Sequence, residues 1–365
     1  MKIHVLTQGL YSYNGIAFLT PLVLNQRRLK EIGIEVNFFT KLSNKLTHCD
    51  VLVLESKFFV PWWNKTDKLF STFVNLKKNN KLYYFDLGDS SSSWCLGVLP
   101  FIDKMYKSYL LKDKKRYTKP LYGGRIWTDY YHQKFNINDN NNNNVPLFYA
   151  KESDLDKINL GYSAAFGNYT LNSVFWQGNL KTKLAKRLWF LRKLSVQKTK
   201  AEIFIKPSSK RKISLSARMS TNMYTETVAF QRLKTAKLLA KYNAPSTKLN
   251  RKEYMQELTN SKIITSPFGW GEINYKDYET AITGGVLLKP DISHLQTWPN
   301  IFNDKTIVQY KWDFSDLESK VEDIIANYNY YLDYAVNLQN SYIHYVASKE
   351  GQDEFCQYFK EMLEG

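Results

Sequence analysis

The residues best suited to chemistry crowd into positions 261–299, SKIITSPFGWGEINYKDYETAITGGVLLKPDISHLQTWP. Gly269-Trp270-Gly271 forms a glycine-rich turn that leads into a helical stretch over residues 274–283. Such a junction turns backbone N–H groups and a positive dipole end toward an anion, and it suits phosphate. Glu279 lies two turns into that stretch, where its carboxylate can reach a sugar hydroxyl. A second cluster is Asp86-Leu87-Gly88-Asp89, followed by four serines. At a strand end, a carboxylate there can take a proton from an incoming hydroxyl. The same residues also suit an Asx or serine turn that caps the next helix. Arg125, behind Gly123-Gly124, is the functional candidate in a stretch rich in Lys, Arg and Tyr. Most of its neighbours read as a solvated helix whose tyrosines pack inward.

The surrounding pattern supplies elements to hold these groups. Ile263-Ile264 is a buried strand stopped by Ser266-Pro267. Tyr275, Tyr278 and Ile282 share one helical face, and Gly284-Gly285 ends that helix. Val286-Leu287-Leu288 is the next buried strand, closed by Pro290. The unit is strand, glycine turn, helix, strand. In the first half, strands over residues 2–6, 34–39, 51–54 and 81–85 alternate with helices over 21–32 and 67–78. That alternation predicts a doubly wound parallel sheet with its ligand beyond the strand C-termini. Two loops fall there, residues 7–18 and 86–93. Further on, a strand over 213–218 ends in Arg218, and helices are expected over 223–242, 251–259, 316–334 and 339–363. The run Asn140 to Asn144 reads as a low-complexity surface loop.

The order Ile264-Thr265-Ser266-Pro267, Gly269-Trp270-Gly271, Tyr278-Glu279-Thr280-Ala281, Gly284-Gly285-Val286, Pro290-Asp291 resembles the donor-binding half of GT-B glycosyltransferases. The resemblance is specific over residues 251–291, extends from residue 213, and before that is topological. It implies an α/β fold of two Rossmann-like doubly wound domains facing a cleft, with C-terminal helices crossing back onto the first. It implies domains at 1–197 (acceptor side) and 213–320 (donor side), a linker at 198–212, and closing helices at 321–365. It also implies that Glu279 holds the donor ribose and that Ser266, Pro267, Gly269, Gly271 and Gly284 shape the donor site. Arg218 matches the family's basic contact to the donor pyrophosphate, where a guanidinium pairs two oxygens at once. Many retaining members carry two glutamates with seven residues between them. Counting back from Glu279 in that way reaches Gly271, and Glu272 is one position off. The departure favours inversion, with Asp89 as the base and Glu272 at the donor sugar.

Charge and composition set the remaining bounds. The net charge is +17, and residues 181–218 hold thirteen Lys or Arg against one acid, Glu202. Nucleic acid, anionic lipid and phosphate-bearing substrates all suit such a balance. Residues 180–194 read as a basic amphipathic helix. Lys183, Lys186, Arg187, Trp189 and Lys193 either meet an anionic membrane surface or face water on a packed helix. No run approaches the ~20 apolar residues that cross a bilayer, and residues 1–6 are strand-like rather than the start of a secretory leader. Cys49, Cys95 and Cys356 are scattered, which fits neither a disulfide framework nor a zinc site. The expectation is a cytoplasmic glycosyltransferase, peripheral at the inner face of a membrane, that uses a nucleotide sugar, a glycan or lipid-linked acceptor and no essential metal. A sugar-nucleotide epimerase or phosphorylase on the same fold is the first alternative. A basic nucleic-acid-binding protein is the second.

Overall fold

The structure, a computed structural model, describes residues 1–78, 80–92, 95–140, 148–170, 196 and 198–365. The basic stretch 180–194, with the five residues expected at a membrane, lies outside the described residues.

Among the described residues, twelve strands form two parallel sheets and one ribbon. The first sheet takes β1 (Lys2–Leu6), β2 (Glu35–Phe39), β3 (Val51–Glu55), β4 (Lys81–Asp86) and β5 (Lys104–Lys107). After β6 (Tyr109–Leu111) it is completed by β7 (Ile158–Leu160). Its order is β2-β1-β3-β4-β5-β7, parallel throughout. Ile3 pairs with Val36 on one side and Val51 on the other. β3 is apolar up to its final Glu55 and buried along its length, as a strand covered on both faces must be. The chain reverses its direction of travel across the sheet between β1 and β3, which opens a crevice beyond their C-termini. The second sheet takes β8 (Ile213–Ser216), β9 (Ser261–Thr265), β10 (Val286–Pro290) and, after β11 (Leu295–Thr297), β12 (Val308–Tyr310). Its order is β12-β10-β9-β8, again parallel.

The two halves are tied together. β6 and β11 pair antiparallel, one strand from each half, with Tyr109 opposite Thr297. The last helix, Lys349–Glu364, returns to the first sheet: the Tyr358 hydroxyl donates to the Leu160 carbonyl at 3.0 Å, and the Tyr83 hydroxyl to the Leu363 carbonyl at 3.3 Å. This is the layout that the GT-B resemblance implies.

Three details differ from the expected elements. The first helix begins at Tyr13 rather than Pro21. Ser12 caps it by accepting from the Gly15 N–H at 3.0 Å, and Pro21 sits inside it although proline favours a first turn. The loop after β1 is therefore short, and a helix N-terminus stands where a loop was expected. The chain closes with three helices, Leu317–Ala326, Tyr328–Ala347 and Lys349–Glu364, broken at Asn327 and Ser348. Residues 198–212 pack closely on the second half. Arg211 is buried and donates to the carbonyls of Leu258, Ser261 and Thr283.

Candidate active site

A cavity of about 670 Å³ opens between the two sheets, beyond the C-terminal ends of their strands. Its lining comes from both halves. From the second half come Ser266-Pro267 after β9, the turn residues Trp270 and Gly271, and the start of helix Tyr275–Thr283. Asn274 and Asp277 close a capping box at that start, so the helix begins sharply. Its N-terminal dipole end opens on the cavity through Asn274, Tyr275 and Lys276.

Three cations line the same side: Lys276, Arg232 and Arg251. Lys276 lies on the first turn, three residues before Glu279 and on the same face. Burial, and then the like charge of Arg232, pull its ammonium down to about 7, against a partial counter-pull from Glu279, Asp277 and Glu257. Its ammonium donates to the Arg218 carbonyl and, at 3.3 Å, to the Thr265 carbonyl. Arg232 is anchored by bonds to the carbonyls of Ser220 and Phe268 at 2.5 and 2.7 Å. Arg251 donates to Glu279 Oε1 at 2.6 Å, and the Tyr254 hydroxyl donates to Glu279 Oε2 at 2.8 Å. Glu279 is 3 % exposed, lines the cavity and is held rigid by those two donors. Ser266 Oγ is buried with no hydrogen-bond partner among the described residues. A buried hydroxyl without a partner beside a cavity of cations is a ready contact for a ligand.

The first half supplies Ser12, Tyr13, Asn14, Lys57 and Asp89. Buried Glu55, at the end of β3, accepts from the Thr7 hydroxyl (2.7 Å), the Gln8 N–H (2.7 Å) and the Lys57 N–H (3.1 Å). Burial pushes its carboxyl up against those donors. It thereby fixes both loops at the strand switch. Asn14 spans the cleft: its amide donates to Asp89 Oδ1 at 2.8 Å, and its oxygen accepts from the Tyr275 hydroxyl at 2.6 Å. Asp89 is solvent-exposed and oriented by Asn14.

Of the residues singled out in the sequence, Asp89, Ser266, Pro267, Gly271 and Glu279 meet at this cavity. Five do not. Glu272, expected at the donor sugar, is 0 % exposed and faces the other way. Its carboxylate accepts from the Ser91 N–H at 3.0 Å and the Ser91 hydroxyl at 2.6 Å, and it stands 3.6 Å from His294 Nε2. Burial alone would raise this carboxyl, but His294 and the Ser91 donors outweigh it and hold it at about 2. It clamps the two halves together, and a carboxylate so acidic is a poor base. Arg218, expected on the pyrophosphate, has its guanidinium engaged by Glu257 at 2.6–3.0 Å and by Thr247 at 2.8–3.0 Å. Gly269 shapes the turn itself: its N–H donates to the Gly271 carbonyl at 3.0 Å. Gly284 has φ +71 and ends the helix against the 205 carbonyl, where a Cβ would fall 2.4 Å from the oxygen. Arg125 braces the glycine turn from behind: its Nε donates to the Trp270 carbonyl at 2.8 Å, and its guanidinium lies 5.2 Å from the Trp270 ring centre. Asp86 is buried in an ion pair with Lys107 at 2.6 Å, each 1 % exposed. Gly271 has a further constraint, since a Cβ there would lie 1.7 Å from the Asp89 carbonyl. Only glycine lets the two loops touch.

Lys276, Arg232, Arg251 and Asn14 are the residues that sequence reading passed over. Lys276 had a visible signal, its i, i+3 relation to Glu279 on the first turn. The others had none, because their place depends on chain far away.

No protein-family model and no curated protein matches the chain. Solved structures similar to it include an alpha-glucosyltransferase in complex with UDP-glucose and DNA containing an abasic site. That structure is 12% identical, with a TM-score of 0.40, and the match covers 100% of this chain and 98% of that one. HepE from Anabaena in complex with UDP-glucose is 10% identical, with a TM-score of 0.45 and coverage of 100% and 99%. A putative UDP-N-acetylglucosamine 2-epimerase from Listeria monocytogenes is 9% identical, with a TM-score of 0.40 and coverage of 100% and 96%. These overlaps are loose, and the reading of the cleft rests on this chain's own side chains.

Proposed function

We propose that the protein is a glycosyltransferase that moves a sugar from a nucleotide-sugar donor to a glycan or lipid-linked glycan, in the building of surface polysaccharide or glycoconjugates. The observation that carries this reading is the convergence, in one cleft between two parallel sheets, of a helix N-terminus, three cations of the second half and a rigid carboxylate. Phosphate chemistry calls for the first two. The dipole end of helix Tyr275–Thr283, with Lys276, Arg232 and Arg251, would take the donor diphosphate and stabilise it as it departs. Glu279 would hold the ribose. Asp89, aimed by Asn14 from the opposite wall, would take the proton of the attacking hydroxyl, and the transfer would invert the anomeric centre. Every step so assigned is met by protein groups, so transfer is expected to persist in excess chelator.

A thermal-shift panel of nucleotide sugars, followed by product analysis with glycan acceptors, tests the reading. The expected result is stabilisation by at least one nucleotide sugar and transfer that Asp89→Asn lowers by at least a hundredfold. Donor turnover that needs no acceptor would favour an epimerase or phosphorylase, and no response to any nucleotide sugar would overturn the reading. A place at an anionic membrane face through the basic stretch 180–194 belongs to the same proposal. Among the described residues no helix is long and apolar enough to cross a membrane. Co-sedimentation with anionic vesicles at low but not high salt is the expected behaviour, and its absence would remove the membrane from the account.

A further inference from the structure

A second cavity, of about 430 Å³, lies outside the cleft and shares no lining residue with it. It sits where the β6–β11 ribbon joins the two halves, bounded by Leu111 and Lys112 after β6, His294 before β11, helix Ile126–Phe135 and Trp312 after β12. Its volume falls in the range of about 300–1,000 Å³ typical of small-molecule sites.

One part of the lining is a fixed aromatic row. Trp312 meets Tyr130 edge to face at 5.4 Å and His294 at 5.3 Å. The indole N–H of Trp312 donates to the Asp291 carbonyl at 2.8 Å, which sets the ring's orientation. The rest is polar and of mixed charge. Gln133 donates to Asp129 at 2.8 Å, Lys112 brings a cation, and Arg116 is paired with Asp113 at 3.6 Å. His294 Nε2 is buried and pairs with Glu272 Oε1 at 3.6 Å, with no closer hydrogen-bond partner among the described residues. Glu272 in turn holds Ser91, two residues past Asp89. One buried carboxylate therefore separates this cavity from the wall of the cleft.

We propose that this cavity is a saccharide-binding subsite. A sugar ring has an apolar C–H face and a rim of hydroxyls, each both donor and acceptor. The first matches a held indole or phenol face. The second matches an amide, two carboxylates and two cations around it. An uncharged aromatic ligand would make no use of the polar rim, and a bare phosphate would leave the aromatic row idle. The bound sugar is a unit of the acceptor glycan remote from the transfer point, and that clause alone rests on the transferase reading.

The test is saturation-transfer NMR of the full chain with three probes: chitotriose, maltotriose and trigalacturonic acid. Nucleotide-sugar binding is measured in parallel. Gln133 is exposed, so Gln133→Trp fills the cavity without disturbing a buried side chain; Trp312→Ala removes the platform. At least one probe is expected to bind wild type and to weaken tenfold or more in both variants, with nucleotide-sugar affinity unchanged. Failure of all three probes to bind, or binding that survives both changes, would overturn the subsite. A subsite that holds while every nucleotide sugar fails would leave the cavity standing and remove the transferase.

Discussion

Glu272 and Glu279 are seven positions apart on one turn-and-helix unit, and they do opposite things. Glu272 is sealed in, accepts three bonds from Ser90 and Ser91, and faces His294. Glu279 looks into the cleft, braced by Arg251 and Tyr254. The difference lies in what the rest of the chain brings to each. The serine loop of the first half comes down on Glu272, 181 residues away in sequence, whereas Glu279 is met by the helix just before β9, 25 to 28 residues away. A carboxylate whose partners all lie inside the protein holds the fold, and one that meets its partners at the edge of a cavity can serve a ligand. Arg218 and Lys276 repeat the lesson. Arg218 is saturated by Glu257 and Thr247. Lys276 is poised near neutrality at the cavity.

The largest expected effect breaks the clamp. Glu272→Ala leaves the Ser91 donors buried and unmet beside His294, and is expected to lower stability by about 3–5 kcal/mol in urea unfolding. If the variant instead folds normally and loses donor affinity, Glu272 is a site residue and the comparison collapses. Glu279→Ala should act in the other direction. Donor binding weakens by about 1.5–3 kcal/mol in calorimetry, the worth of a charge-assisted hydrogen bond, and unchanged affinity would remove its ribose role.

Arg218→Ala is expected to cost about 1–3 kcal/mol of stability, because Glu257 and Thr247 lose their donor. Donor affinity should stay within about twofold. A large loss of affinity with stability intact would restore Arg218 to the pyrophosphate. The smallest effect is one of pH. In the free protein Lys276 gives up its proton near pH 7, while an unfolded lysine keeps it to about 10.4. The group therefore costs stability below pH 7, and that cost is relieved as pH rises from 7 toward 10. A bound diphosphate favours the charged form, so binding above pH 7 takes up a proton. It should weaken by up to about 1.4 kcal/mol per pH unit. Calorimetry in buffers of different ionisation enthalpy measures that uptake, and Lys276→Met should abolish it.

What the sequence made legible was local. The strand, glycine turn, helix and strand of residues 261–290 are each signalled within a few residues, by Ser266-Pro267, Gly271, Gly284 and Pro290, and the parallel sheets follow from their alternation. Asp89 and Glu279 were legible because a strand end and a second helical turn face a cleft in any doubly wound sheet. The loss of Arg218 to Glu257 was not legible, since a salt bridge between the loop after β8 and a helix residue 39 positions later leaves no pattern in either segment. Nor was the start of the first helix. Pro21 suggests a beginning, and the true cap at Ser12 stands in a polar run that resembles a loop. That shift hid Asn14, the residue that spans the cleft.

The central claim is that the cleft binds a nucleoside diphosphate through the start of helix Tyr275–Thr283. Titration calorimetry of UDP, GDP, CDP and ADP against wild type, Lys276→Ala and Arg218→Ala tests it most directly. The account predicts that at least one of the four binds wild type, that Lys276→Ala weakens it tenfold or more, and that Arg218→Ala leaves it nearly unchanged. Binding abolished by Arg218→Ala and untouched by Lys276→Ala, or no binding by any of the four, would contradict it.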